Sequence, residues 1–163
     1  MKPAFLRAVR RGEAPAEPIA TPPGAAAVRS TPVTLVDLSP ADIMWLDDLR
    51  DHLRPKGSDP LDAQALSACF DHYLDRWSAV PLPQRWDPRY LVSAIGVALG
   101  DLIVHHLEAA RWQRVDDERA KVVAVRLEDR RVTVFPIDAV ARRWHAEQRS
   151  WIVEWSEQMV AEG

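Results

Sequence analysis

The stretch from Pro88 to Ala110 constrains the fold of this chain most, because it predicts one helix that is apolar on nearly every side. Such a helix is buried, either inside a domain or in a bilayer. Its uninterrupted apolar run, from Tyr90 to Gly100, is well short of the roughly 20 residues that a membrane span needs. We therefore expect a core helix on which the other elements pack.

Two glycines on one face of this helix, Gly96 and Gly100, indicate a packing groove. Each costs roughly 0.5–1 kcal/mol relative to alanine in a helix interior. That cost is tolerable where a neighbouring helix or sheet touches the backbone, and a ligand lying on the bare backbone is the alternative. Asp101 follows directly, and its carboxylate needs solvent or a donor because burying it unpaired is very costly.

Charge and cysteine content restrict the classes of function. Residues 1–32 hold five basic and two acidic side chains, whereas residues 33–163 hold 16 basic and 22 acidic ones. An acidic folded region argues against nucleic-acid binding. Cys69 is the one cysteine, which excludes an internal disulfide and a cysteine-based zinc site. No secretory signal follows Lys2, so we expect a cytoplasmic protein. We also expect no cofactor.

Proline content divides the chain into a tail and a domain. Residues 1–32 are rich in proline and alanine and lack periodicity, which predicts a disordered basic tail. A short amphipathic turn at Phe5, Leu6 and Val9 is the alternative for its first part. Residues 33–163 are predicted to form a single domain, which begins at Val33 to Val36 with a short strand or an extended lead-in. Its first three helices are expected at three signals that combine a capping residue with proline: Ser39-Pro40, Asp59-Pro60 and Asp87-Pro88.

The pattern changes after Arg111 to short β-branched runs between charged turns, which predicts strands at 112–115, 121–127 and 132–135. A helical stripe then runs from Pro136 to Met159. The predicted fold class is α+β. Two amphipathic helices and a buried central helix pack on a three-stranded antiparallel meander, with a long C-terminal helix.

Three tryptophans, Trp144, Trp151 and Trp155, repeat on one face of the predicted C-terminal helix. Packing onto the sheet is one explanation. A helix of some 25 residues would be roughly 37 Å long, however, and a small domain can scarcely cover all of it. The alternative is that its end forms an interface with a protein partner or a second copy.

Asp101 is the centre of the candidate chemistry. Arg111, Arg142 and Arg143 are expected at nearby element ends, where one of them would clamp Asp101 bidentately. That pair is either structural or part of a ligand-binding site made by Asp101, Arg142 and Arg143. Asp101 and His105 lie one helical turn apart and could hold a metal. The alternative is that Asp101 pairs with an arginine and the histidines face solvent.

Complete catalytic motifs are missing from the sequence. Cys69 lies on the apolar face of its helix, three residues before His72, and a buried thiol of that kind is more often inert. There is no G-x-S-x-G motif. The glycine pair lies inside a helix rather than in a strand-to-helix loop, so it is not a nucleotide fingerprint.

The segment from Leu91 to Arg143 resembles an uncharacterised bacterial family, domain of unknown function 3806. The shared features are Ile95-Gly96-Val97-Ala98-Leu99-Gly100-Asp101, Trp112, Val115, Asp117-Glu118, Phe135-Pro136 and Arg142-Arg143. The resemblance covers roughly residues 85–145. It departs at Arg119-Ala120, where Tyr-Gly is expected, and in the tryptophan-rich C-terminal helix. It implies an α+β domain and supplies no activity or cofactor.

Two functions follow from these patterns. A non-enzymatic protein-interaction or structural module is favoured, because no complete catalytic constellation is visible. Its contact elements would be the C-terminal helix, through which it binds a partner or a second copy, and the basic tail. The alternative is a small ligand- or metal-binding enzyme of the hydrolase type that uses Asp101, His105 and an arginine.

Overall fold

The fold is seen in a computed structural model, which describes residues 28–29, 34–54, 61–117 and 120–161. Apart from 28–29, the predicted disordered tail lies outside the described residues. The elements are β1 (Val28–Arg29), β2 (Leu35–Val36), α1 (Pro40–Leu53), α2 (Ala63–Ser78), a short 3-10 helix (Leu82–Gln84), α3 (Arg89–His106), β3 (Ala110–Asp117), β4 (Ala120–Leu127), β5 (Val132–Val134), α4 (Pro136–His145) and α5 (Ile152–Ala161).

Helix α3 is the hub of the described fold, as predicted. It contacts α1, α2, α4 and α5, and it also contacts β3 and β4. Eleven of its residues are buried, and they occupy every position from 94 to 100. No helix among the described residues has the length and apolarity to cross a bilayer.

The two glycines of α3 form the predicted packing groove, and two neighbouring elements fill it. A Cβ atom on Gly96 would lie 2.5 Å from the Cα atom of Ile137, at the start of α4. A Cβ atom on Gly100 would lie 2.1 Å from the indole ring of Trp112, on β3. Both distances are far below van der Waals contact, so only glycine allows these approaches without movement.

The α+β class is confirmed, and the sheet is wider than predicted. The strands are antiparallel and are ordered β1-β5-β4-β3-β2, so the predicted meander forms the centre. The two-residue strands β1 and β2 lie at the edges. Such short strands carry almost no periodic signal, which explains why a three-stranded sheet was expected.

Capping explains where α1 and α2 begin. Ser39 caps α1 in a reciprocal box with Asp42, and Pro40 is the first helical residue, as the sequence predicts. Helix α2 begins later than predicted. Its cap is Asp62, whose carboxylate accepts hydrogen bonds from the backbone N–H groups of Gln64 and Ala65; the expected signal Asp59-Pro60 lies outside the described residues.

The prediction of one long C-terminal helix is wrong, because the chain turns between α4 and α5. The backbone N–H of Glu147 donates to the carbonyl of Trp144, and that of Gln148 donates to the carbonyl of Arg143. This is the Schellman arrangement, which ends a helix at a residue in the left-handed region. Glu147 has φ of 51° there. The position usually holds glycine, so a glutamate there carries no local signal for a helix end.

Helix α2 holds this turn in place. The carboxylate of Asp71 accepts hydrogen bonds from the backbone N–H and the hydroxyl of Ser150. Arg149 Nε donates to Asp75 Oδ1 at 2.7 Å. These partners are more than 70 positions away in sequence, so the break in the helix depends on tertiary contacts that local patterns do not contain.

Candidate functional site

Asp101 lies at the meeting point of α1, α3 and β3. Arg50 Nε and Nη2 donate to its two carboxylate oxygens, each at 2.7 Å. Trp112 Nε1 donates to Asp101 Oδ1 at 2.9 Å. The side chains of Arg50 and Asp101 are 29% and 19% exposed. The carboxylate therefore has a bidentate clamp and a third donor, in an environment partly shielded from water.

The clamp on Asp101 also fixes the charge of Arg50. The hydrogen bond to Asp101 is the largest cause that raises the pKa of the Arg50 guanidinium, and a further hydrogen bond to Asp47 adds to it. Burial opposes both effects. The guanidinium is therefore held as a permanent cation that orients the carboxylate.

The structure places the other two residues of the predicted ligand site in different surroundings. Arg142 Nε donates to Asp138 Oδ2 at 2.9 Å, one helical turn away on α4. Arg143 is buried, with its guanidinium carbon 4.1 Å from the centre of the Trp151 ring. Burial lowers the pKa of Arg143. The arginine that pairs with Asp101 is thus Arg50, and ligand binding by Asp101, Arg142 and Arg143 stays a prediction.

The geometry around His105 matches the solvent-facing alternative. His105 and His106 are exposed, and their ring centres are 5.2 Å apart. Both oxygens of Asp101, the other predicted metal ligand, accept hydrogen bonds from Arg50. Among the described residues, no group of three or more His, Cys, Asp or Glu side chains is placed to hold a metal.

The three tryptophans predicted for an interface contribute to the core of the described fold. Trp144 is fully buried, and Trp151 and Trp155 are 4% and 3% exposed. Phe70 of α2 packs edge-on against both Trp144 and Trp151. Because the chain turns after α4, α5 lies against α2 and α3. A role for these three residues in partner binding stays a prediction.

An apolar cleft lies between α1, β4 and the start of α4. Its volume is about 420 Å³, which is within the range of ligand-binding pockets. Ile137 belongs to its wall and also fills the notch at Gly96. One wall of the cleft therefore packs directly against α3, the hub of the fold. The lining residues are Asp42, Trp45, Val122, Val123, Phe135, Ile137, Asp138 and Ala141.

Two apolar side chains that line the cleft are exposed: Trp45 is 42% exposed and Val122 is 39% exposed. Ile43 and Met44, next to Trp45 in the sequence, are 47% and 73% exposed and do not line the cleft. The buried stripe of α1 consists of Leu46, Leu49 and Leu53, so Ile43, Met44 and Trp45 are not needed for the core.

Two acidic residues give the cleft its polar groups, and each has a basic partner in the chain. Asp42 pairs with Arg114 of β3, at 3.3 Å. Asp138 pairs with Arg142, at 2.9 Å. The cleft thus combines an apolar floor with two ion pairs, which suits recognition of a segment more than acid–base chemistry.

This cleft was missed by the sequence interpretation, although one signal was present. Three consecutive apolar residues, Ile43, Met44 and Trp45, exceed what one buried stripe of a helix requires. The cleft also draws on residues from three elements far apart in the sequence. Its position depends on how α1 and the start of α4 pack beside β4, which is a tertiary arrangement.

Comparison with known proteins gives a family for the central part of the chain. Residues 79–155 match the model of the family described as domain of unknown function (DUF3806). Over this segment, 77 of the 163 residues, the chain is similar to the DUF3806 family. The predicted resemblance is confirmed, and the DUF3806 segment contains α3, the three central strands and α4. Six of the cleft residues lie within it, whereas Asp42, Trp45 and Arg50 come from α1, before it.

One solved structure extends the comparison beyond the DUF3806 segment. A crystal structure of a protein from Bacteroides thetaiotaomicron VPI-5482 is similar, with a TM-score of 0.58 and 14% sequence identity. The match covers 82% of this chain and 49% of that chain, so this chain spans about half the length of that protein. At this identity the likeness shows the fold alone. No curated protein matches the chain.

Proposed function

We propose that the domain is a non-enzymatic protein-interaction module whose cleft holds an apolar segment of a partner protein. One observation carries this proposal: two exposed apolar side chains, Trp45 and Val122, line an apolar cleft. Contiguous exposed apolar patches are typical of interaction sites. A tryptophan at the centre of such a patch is typical of residues that dominate binding energy.

The polar groups of the cleft support recognition of a peptide segment. The pairs Asp42–Arg114 and Asp138–Arg142 stand beside the apolar floor. Interfaces commonly combine an apolar centre with a polar rim that sets orientation. A segment with one or two large apolar side chains would bury them against Phe135 and Ala141, and its polar groups would meet the two ion pairs.

The C-terminal helix receives less support as the contact element, since Trp151 and Trp155 are nearly inaccessible. Self-association through this region and a cytoplasmic location stay predictions. The enzymatic alternative, with Asp101, His105 and an arginine, also stays a prediction. The geometry favours a structural role for Asp101, whose oxygens both bond to Arg50.

Selection from a library of displayed random peptides tests the proposal. We expect the full chain to enrich peptides with aromatic or leucine side chains. Trp45→Ser should weaken binding of a selected peptide at least tenfold, because a tryptophan at the centre of an interface commonly contributes roughly 2 kcal/mol or more to the binding free energy. The measurement is isothermal titration calorimetry with one selected peptide.

Leu82→Ser is the matched control. Leu82 is 78% exposed and does not line the cleft, so its replacement should leave peptide affinity unchanged. Circular dichroism would show that both variants keep the fold. Failure to enrich any peptide would contradict the proposal, and so would equal binding by the Trp45→Ser and Leu82→Ser variants.

A further inference from the structure

The N-terminal segment of this chain has the chemistry of a ligand for the cleft. Residues 2–11 contain four basic side chains and no acidic one, and they carry the apolar residues Phe5, Leu6 and Val9. Phe5 and Val9 are four positions apart, the spacing that places two side chains on one face of a helical turn. Apolar anchors of this spacing are used by segments that bind in grooves.

The described fold begins close to the cleft. Val28 of β1 pairs with Val134 of β5, and the next residue after Val134 is Phe135, which lines the cleft. The 16 residues from 12 to 27 connect Val28 to the basic apolar segment. An extended chain of that length reaches about 50 Å. That length is enough to bring the segment back to a cleft on the same small domain.

Charge favours the same contact. Residues 33–163 carry 16 basic and 22 acidic side chains, so the domain as a whole attracts the basic segment. Asp138 at the cleft is 40% exposed, which leaves it open to a cation from solvent besides Arg142. Exposed ion pairs contribute little stability. The apolar anchors therefore supply most of the affinity, and the charges guide the approach.

We propose that residues 4–11 bind the cleft of their own molecule and compete there with the partner segment. This inference rests on the proposed function and adds a regulatory element to it. A short tether gives an effective concentration on the order of 1 mM. A weakly binding segment thus occupies a substantial fraction of the clefts, and the affinity for a partner falls in proportion to the fraction left open.

The experiment compares full-length chains in two-dimensional NMR spectra and in peptide titrations. The test variant is Phe5→Ser with Leu6→Ser, and the matched control is Ala25→Ser with Ala26→Ser, in the same tail. We expect the test variant to shift the indole resonance of Trp45 and the amide resonances of Val122 and Val123. We also expect it to bind a selected peptide at least about threefold more tightly than the parent chain. The control variant should do neither.

Three outcomes would overturn the inference. If the test variant and the parent have the same cleft resonances and the same peptide affinity, the segment does not bind the cleft. Shifts spread over the whole domain would show an effect on folding instead. Shifts that grow with protein concentration would assign the segment to a second copy. If selected peptides still require Trp45 in each case, the proposed function survives and the self-binding alone fails.

Discussion

Replacing Gly96 by alanine is expected to destabilise the protein by about 1–2 kcal/mol, although alanine is the better helix former. Helix propensity alone would favour the substitution by roughly 1 kcal/mol. The added Cβ would lie 2.5 Å from the Cα atom and 3.0 Å from the backbone nitrogen of Ile137. Backbone cannot turn away as a flexible side chain can, so α4 must move, and overpacking of this kind typically costs about 1–3 kcal/mol or more.

Urea unfolding of the Gly96→Ala variant measures this effect, with Ser93→Ala as the control. Ser93 belongs to the same helix, but it is partly exposed and borders an open depression of the surface. Ser93→Ala should therefore be neutral or slightly stabilising. Because Ile137 also lines the cleft, Gly96→Ala should weaken peptide binding as well. A Gly96→Ala variant as stable as the parent would contradict the close approach of α4.

Replacing Asp101 by alanine is expected to lower the free energy of unfolding by about 2 kcal/mol. The substitution removes three hydrogen bonds, two from Arg50 and one from Trp112. Bonds to a charged group are stronger than neutral ones, and a partner left without its acceptor bears a desolvation cost. Arg50 is still 29% exposed and keeps Asp47, so water and that carboxylate recover part of the loss.

Asp51→Ala is the control for Asp101→Ala, because Asp51 also pairs with an arginine at 2.6 Å. That pair is largely exposed, with 66% of the Asp51 side chain accessible, and its loss should cost less than about 0.5 kcal/mol. The ligand-site hypothesis for Asp101 expects a different result. Under it, Asp101→Asn leaves stability nearly unchanged and abolishes binding of a metal or ligand. Chemical unfolding and calorimetric titration together separate the two roles.

The sequence was most informative where a local pattern decides the structure. The apolar character of α3 predicted its burial, and the costly glycines predicted a close approach before the neighbours Ile137 and Trp112 were known. Ser39 and Pro40 marked the start of α1 in the same way. Each of these inferences depends on helix geometry and on a cost that only packing offsets.

The sequence was uninformative where a tertiary contact decides the structure. Glu147 ends α4 without glycine or proline, and Asp71 of α2 holds Ser150 in the following turn. The partner of Asp101 is likewise decided by a tertiary contact. The predicted element ends indicate Arg111, Arg142 or Arg143 as its partner, but the helix that crosses α3 at Asp101 is α1, which brings Arg50.

The candidate site was only partly accessible to sequence reasoning. Its tryptophan belongs to α1, and its remaining walls belong to β4, to Phe135 and to α4. No spacing rule brings these three elements together. The tryptophans of the C-terminal region have the regular spacing of an amphipathic face, which indicates an interface as readily as a core, and the turn after α4 directs that face into the core.

Native-state hydrogen exchange tests the central structural claim most directly, that α3 is the hub on which the cleft is built. Buried core elements open only with the whole domain, whereas peripheral elements open locally at lower free energy. The amides of Ile95 to Leu102 should therefore exchange last, with an opening free energy within about 1 kcal/mol of global unfolding. If these amides exchange through a local opening whose free energy is lower than that of the α5 amides, the account is contradicted.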